Sequence, residues 1–213
     1  NVVCISTTHM RRSLDLPKCL ASKWKLVSEM SAKSIIIAGG GLTGALAALM
    51  LARDGHRVSL YERRGDIRDA KIVHGRSINL AISTRGLTAL ERVGLRQEVL
   101  DMAVPMRGRR MHGKDNSTTF QPYSANEDEN IYSISRGGLN RFLIEQAAAE
   151  ENVTLFFQHR CMGVDPRSGV VTFIDDESGE TKEISGDLVI GADGAYSAVR
   201  QTLMVGDLFD FSQ

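Results

Sequence analysis

Apolar and polar positions alternate in recognisable patterns from about residue 34 onward. Ser34–Ala38 reads SIIIA, a short β-branched run of the kind a parallel strand needs when both its faces are covered. Leu42–Arg53 is rich in alanine and leucine and predicts a helix that Asp54-Gly55 stops. Arg57–Tyr61 alternates and predicts the next strand. Strand, helix and strand at this spacing predict a parallel pair joined by a right-handed crossover. Residues 84–93 then predict a helix capped by Thr84 and ended by Gly94. Ile131–Ser135 predicts a strand, residues 139–150 a helix and residues 153–157 a strand. Residues 164–165 and 170–174 flank Pro166-Arg167-Ser168-Gly169, a turn signal that predicts a hairpin or meander. Residues 187–190 form another apolar run, ending at Gly191-Ala192-Asp193-Gly194.

One stretch fits a second pattern. Residues 34–52 hold 19 positions without a charge, near the length of a membrane span. Gly39, Gly40 and Gly41 sit inside it and would weaken a continuous helix, so strand, turn and helix is the better reading. Residues 1–32 are patternless and basic: Arg11, Arg12, Lys18, Lys23 and Lys25 face only Asp15 and Glu29. They read as a leader outside the fold, with Met30 as a natural start for the domain at residues 33–213. The 213 residues carry 26 Lys plus Arg against 26 Asp plus Glu, which gives no reason to expect nucleic acid as a partner. Cys4, Cys19 and Cys161 form no C-x-x-C pair, which argues against a disulfide framework or a zinc site. No metal is expected.

The chemistry begins at Gly39-Gly40-Gly41-Leu42-Thr43-Gly44, a G-x-G-x-x-G that follows a strand and opens a helix. Gly39 permits the tight turn, Gly41 lets backbone approach a pyrophosphate, and Gly44 lets the helix pack close. A diphosphate would sit on the helix N-terminus, where open N–H groups and the dipole favour an anion. Glu62 closes the second strand about 20 residues on, where a carboxylate can accept from both ribose hydroxyls and disfavours a 2′-phosphate. FAD and NAD both satisfy this much.

The segment from Asp187 to Arg200, DLVIGADGAYSAVR, resembles the Asp-Gly motif of the FAD-dependent aromatic hydroxylases built like p-hydroxybenzoate hydroxylase. The stretch from Gly75 to Ser83 (GRSINLAIS) adds to this, with Tyr61-Glu62-Arg63-Arg64, Pro105-Met106-Arg107-Gly108-Arg109 and Phe209-Asp210-Phe211-Ser212-Gln213. Together they resemble, within that group, the kynurenine 3-monooxygenase family.

The resemblance implies an α/β fold: a Rossmann-like FAD-binding domain of the glutathione-reductase type, with the start of a β-sheet substrate domain. It implies FAD as cofactor and NADPH as co-substrate, with L-kynurenine and molecular oxygen as substrates. Gly39, Gly41, Thr43, Gly44, Tyr61, Glu62, Arg63, Arg64, Ala81, Arg136, Cys161, Asp193 and Ala198 match cofactor-site positions. Arg109 and Tyr123 match the substrate-binding pair: a guanidinium fork holds a carboxylate bidentately, and a phenol adds a donor. No residue stands out as a catalytic acid or base. The family carries a second FAD motif, further substrate residues and, in eukaryotes, a C-terminal anchor to the outer mitochondrial membrane, none of which this chain contains. The chain is therefore expected to be an N-terminal fragment, itself soluble. Other readings are a different aromatic hydroxylase of the same fold, an NAD-dependent dehydrogenase, or an inactive truncated isoform that binds flavin.

Overall fold

The computed structural model describes residues 2–4, 32–69, 79–126 and 130–205. Most of the expected leader, the first part of the Gly75–Ser83 stretch, the middle of the acidic loop at 126–130 and Phe209–Gln213 lie outside the described residues. The chain divides into two units, one drawn from Asn1–Lys71 and Leu143–Gln213, the other from Ile72–Phe142.

In the first unit the elements are β1 (Val2–Cys4), β2 (Ser34–Ala38), α1 (Leu42–Arg53) and β3 (Arg57–Tyr61). The second unit holds β4 (Asn79–Ile82), α2 (Thr84–Arg92), α3 (Arg96–Asp101), β5 (Val104–Met106), β6 (Gly108–His112), β7 (Thr118–Pro122) and β8 (Ile131–Ser135). Helix α4 (Arg136–Ala148) carries the chain back to the first unit, which continues with β9 (Val153–Phe156), β10 (His159–Val164), β11 (Val171–Asp175), β12 (Thr181–Ile184), β13 (Leu188–Gly191) and α5 (Ala198–Val205).

A parallel sheet of order β1-β13-β2-β3-β9 forms the centre of the first unit. Ile35, Ile36, Ile37 and Ala38 are all buried, as a strand covered on both faces requires. Ile36 and Ala38 join Val189 and Tyr61 in a core with Val164, Val171 and Phe173 of the antiparallel meander β10-β11-β12 and with Val199 of α5. By alternation Ile35 and Ile37 point to the other face. Helix α1 packs on β2 and β3 and buries Gly44, Ala45, Ala48, Leu49 and Ala52. The charge-free run at 34–52 is thus strand, glycine turn and helix, and among the described residues no helix is long and apolar enough to cross a membrane.

The helix stop at Asp54-Gly55 is built as a Schellman motif: Gly55 (φ +88) donates to the Ala52 carbonyl and His56 to the Leu51 carbonyl. Gly94 ends α2 with φ +67. The cap of α2 is Ser83 rather than the expected Thr84, whose carbonyl instead accepts from Thr88 Oγ1 at 3.0 Å. Helix α4 starts at Arg136, earlier than its apolar pattern implies, because Ser135 Oγ accepts the Gly138 N–H at 3.2 Å. The second unit is antiparallel, with sheet order β4-β8-β5 and a separate hairpin β6-β7.

Candidate functional site

Gly191, Ala38 and Tyr61 stand in one row across β13, β2 and β3, so the three segments that follow leave the same carboxyl edge of the sheet. The chain passes from β2 to β3 on one side while β13 lies on the other. Such a switch point is where open parallel sheets hold ligands. The segments are the glycine turn, Glu62 and the Ala192-Asp193-Gly194 loop.

The two loops need each other. Gly39 (φ +107) donates its N–H to the Tyr61 carbonyl at 2.7 Å, and Ala192 donates to the Ala38 carbonyl at 2.7 Å. A Cβ on Gly39 would collide with the Ala192 carbonyl oxygen and stand 2.7 Å from the Asp193 nitrogen. A Cβ on Gly44 would overlap the Gly39 carbonyl oxygen. Gly41 differs: a Cβ there meets no atom within 4 Å. Gly41 is also the N-cap of α1, which has no side-chain cap and no acidic residue in its first turn. Amides open at their end, next to a glycine facing open space, form a cradle that fits a diphosphate. Thr43, half-buried, lies in that first turn.

Glu62 is buried, and protein groups already use most of its carboxylate. Oε2 accepts the Gly40 N–H at 2.8 Å, while Oε1 accepts the Arg64 N–H at 3.0 Å and Arg64 Nε at 2.7 Å. An ionised carboxylate offers about four acceptor positions, so about one remains for a ribose hydroxyl. Burial pushes the carboxyl up, but the hydrogen bonds and charge of Arg64 and the Gly40 bond outweigh it and hold the group below the usual glutamate range. Arg64 is therefore the partner of Glu62, while Arg63 is exposed. A depressed folded value means stability that is present above the ordinary glutamate range of about 4.3 and lost as pH falls through the lower folded value. Thermal melts should show this acid loss in the wild type and a shallower one in Glu62→Gln. That variant should also melt lower at neutral pH, because its amide NH2 would face backbone donors at a cost of about 1–3 kcal/mol.

The Tyr61 side chain turns into the core. Its ring is buried in a stack between Phe156 (centroids 4.5 Å apart) and Phe173 (4.1 Å), and burial pushes its phenol up. Only its carbonyl reaches the glycine turn. Asp193 caps α5: its Oδ2 accepts from Ala198 N at 2.7 Å and Val199 N at 3.3 Å. The Ala198 amide is thereby engaged. Asp193 Oδ1 is buried with no hydrogen-bond partner, an acceptor that fits a donor from a bound molecule. Cys161 packs against the core, and burial followed by the Asp193 charge pushes its thiol up to about 12. It is a neutral thiol near pH 7, not a nucleophile.

In the second unit, Ala81 on β4 and Arg136 at the start of α4 are exposed. The hairpin pairs Arg109 with Gln121, and Tyr123 N–H donates to the Arg107 carbonyl at 3.0 Å, which continues the register. Opposite residues of an antiparallel pair share a face. Arg107, Arg109, Gln121 and Tyr123 therefore project from one face, and Arg110 and Phe120 from the other. Arg109 and Tyr123 are both exposed. Arg109 Nε donates to Gln121 Oε1 at 2.8 Å. Gln121 escaped the sequence reading because only the hairpin register exposes its partnership.

A family model described as "FAD binding domain" matches residues 32–209. The chain is 46% identical over 177 residues to the kynurenine 3-monooxygenase of Myxococcus xanthus, covering 83% of this chain and 38% of that protein. Identity is 43% to the Anopheles gambiae kynurenine 3-monooxygenase (84% and 37% covered) and 39% to that of Sus scrofa (87% and 39%). The chain thus spans about two fifths of the length of these relatives. Among solved structures it superposes on 2-methyl-3-hydroxypyridine-5-carboxylic acid oxygenase with TM-score 0.65 at 25% identity, covering 81% of this chain and 42% of that one. The fold is also that of the flavin-dependent monooxygenase PieE, solved with FAD and substrate, at TM-score 0.66 and 23% identity (82% and 32% covered). A glycine cradle facing an Asp-Gly loop, on an α/β fold matched by that model over most of its length, makes this chain a member of the FAD binding domain family.

Proposed function

We propose that this chain is the FAD-holding part of a flavoprotein hydroxylase of the kynurenine 3-monooxygenase type. The observation that carries the cofactor assignment is the open Gly41 cradle at the uncapped N-terminus of α1. Gly39 and Gly44 shape the turn, Gly41, Thr43 and the α1 amides hold the diphosphate, and Glu62, held by Arg64 and flanked by Arg63, takes a ribose hydroxyl. Tyr61 serves through its backbone, Asp193 and Ala198 hold the facing loop, and Cys161 lines the site as a neutral thiol. Ala81 and Arg136 match cofactor-site positions by resemblance to the family. The unit at Ile72–Phe142 we read as the start of the substrate domain, with Arg109 and Tyr123 binding the L-kynurenine carboxylate. Bound FAD, reduced by NADPH, supplies the activation of molecular oxygen for insertion of one oxygen atom into the aromatic ring. The overall reaction balances as L-kynurenine, O2, NADPH and a proton giving 3-hydroxykynurenine, NADP and water.

The full-length protein should convert L-kynurenine to 3-hydroxykynurenine with one NADPH oxidised per product. With 18O2 as oxidant, one labelled atom should enter the product. NADPH oxidation indifferent to kynurenine but stimulated by another aromatic acid would favour a different hydroxylase of this fold. By resemblance to the family, a C-terminal anchor beyond this chain would place the protein on the cytosolic face of the outer mitochondrial membrane.

We further propose residues 33–213 as the domain, although Val2–Cys4 adds an edge strand beside β13. A chain starting at Met30 should bind FAD as tightly as the full chain and lose no more than about 1–2 kcal/mol of stability, the scale of one or two ladder bonds. Loss of FAD affinity on removing residues 1–29 would place the leader inside the cofactor domain.

A further inference from the structure

We propose that Gln121 is the positioning residue for Arg109, and that the two form one carboxylate-binding face with Tyr123. The proposal rests on the reading of Arg109 as the carboxylate ligand. Arg109 and Gln121 stand directly opposite in the β6-β7 register, and Arg109 Nε donates to Gln121 Oε1 at 2.8 Å. A guanidinium has donors only, so this contact fixes the amide: Oε1 faces Arg109, and the two Nε2 donors remain on the same hairpin face. With Nε engaged, Nη1 and Nη2 are the pair left to grip a carboxylate, end-on and bidentately. Arg109 is an exposed side chain with considerable rotamer freedom, and a fixed Nε contact removes part of that freedom before the ligand arrives.

The chemistry also explains why the partner is an amide. A glutamate at 121 would hold Nε at least as well, but its negative charge would neutralise the guanidinium and repel the incoming carboxylate. Glutamine anchors the arginine, leaves its charge intact and adds two donors of its own. Tyr123 stands on the same face, diagonal to Arg109, and supplies a phenolic donor. The ligand group this face takes is thus a carboxylate, held through neutral and cationic donors.

The test uses the FAD-loaded full-length protein and two ligands, L-kynurenine and its analogue lacking the α-carboxylate. Gln121→Met and Gln121→Glu should each raise the KM for L-kynurenine about 3–20-fold with kcat nearly unchanged, the glutamate variant more than the methionine one. Both should leave the affinity for the decarboxylated analogue, the flavin content and the melting temperature as in the wild type. If the variants weaken both ligands equally, the role of Gln121 is structural and the proposal is wrong. If they bind L-kynurenine normally while Arg109→Ala loses it, the proposal is wrong and the substrate reading stands. If Arg109→Ala is itself silent, both fall. Should Gln121→Met fail to fold, Gln121→Glu decides alone, because it keeps the hydrogen bond to Arg109 Nε while adding a negative charge and removing the two Nε2 donors.

Discussion

A Gly41→Val protein folds at close to wild-type stability and purifies without flavin. The first half of that expectation follows from space: a Cβ on Gly41 meets nothing within 4 Å, and Gly41 stands at the N-cap of α1 with extended backbone (φ −73, ψ −176) open to any residue. The second half follows from what the open space is for. Valine's methyl groups would occupy the position of a diphosphate on the α1 amides, and no neighbouring backbone can shift to restore it. Gly44→Ala, three residues on, should fail in the opposite way. Its added Cβ would overlap the Gly39 carbonyl oxygen and stand 3.4 Å from Ala192 Cβ, so α1 must move off the turn. Overpacking against rigid backbone costs about 1–3 kcal/mol or more. For a domain of this size that lowers the melting temperature by about 2–12 °C. Melting temperature and flavin content, measured on both variants, separate a glycine kept for a ligand from a glycine kept for packing. Flavin retained by a folded Gly41→Val protein contradicts the cradle.

The second large effect concerns the substrate. Arg109→Ala in the full-length protein should weaken L-kynurenine binding by about 2–5 kcal/mol, the usual cost of removing one partner of a charge pair that the bound ligand buries. That is at least a tenfold loss, since about 1.4 kcal/mol is a factor of ten. Arg109→Lys should recover only part of it, because an ammonium cannot reproduce the fork. Arg110→Ala serves as the control, since the register turns Arg110 to the opposite face of the hairpin beside Phe120. It should be nearly silent. Equilibrium binding of L-kynurenine and flavin absorbance on the same samples decide the matter. A loss of FAD rather than kynurenine in Arg109→Ala moves that arginine to the cofactor.

Much of this architecture is legible in the sequence, for identifiable reasons. The run from Ser34 to Tyr61 is strand, helix and strand because β-branched residues, an alanine-rich stretch and Asp-Gly each favour one local conformation, and packing agrees with all three. The meander turn at 166–169 was equally plain, and Gly169 adopts φ +73 there. The hairpin β6-β7 was not legible. GRRMH and TTFQP have no apolar alternation, since nearly every residue of both strands is exposed, and a strand without a buried face leaves no period-two signal. Short α3 (RQEVLD) and β12 (TKEI) are illegible for a different reason: each is too short to display a period, although Val99 is buried and β12 alternates exposed with half-buried positions. In the site, the residue types mark the glycine turn and the Asp-Gly loop, but not who holds whom. Sequence spacing offers Glu62 to a ribose, whereas three protein N–H donors occupy most of it. The place of Tyr61 in an aromatic stack depends on Phe156 and Phe173, which lie about a hundred residues further on. Such partnerships are tertiary and carry no local mark.

FAD is expected on the carboxyl edge of the parallel sheet, at the Gly41 end of the glycine turn. The most direct measurement is titration of the purified, flavin-free chain with FAD, read by flavin fluorescence and by calorimetry. Saturable binding at one FAD per chain is expected, abolished in Gly41→Val and retained in Arg109→Ala. Binding that does not saturate, or that Gly41→Val leaves intact, would contradict it.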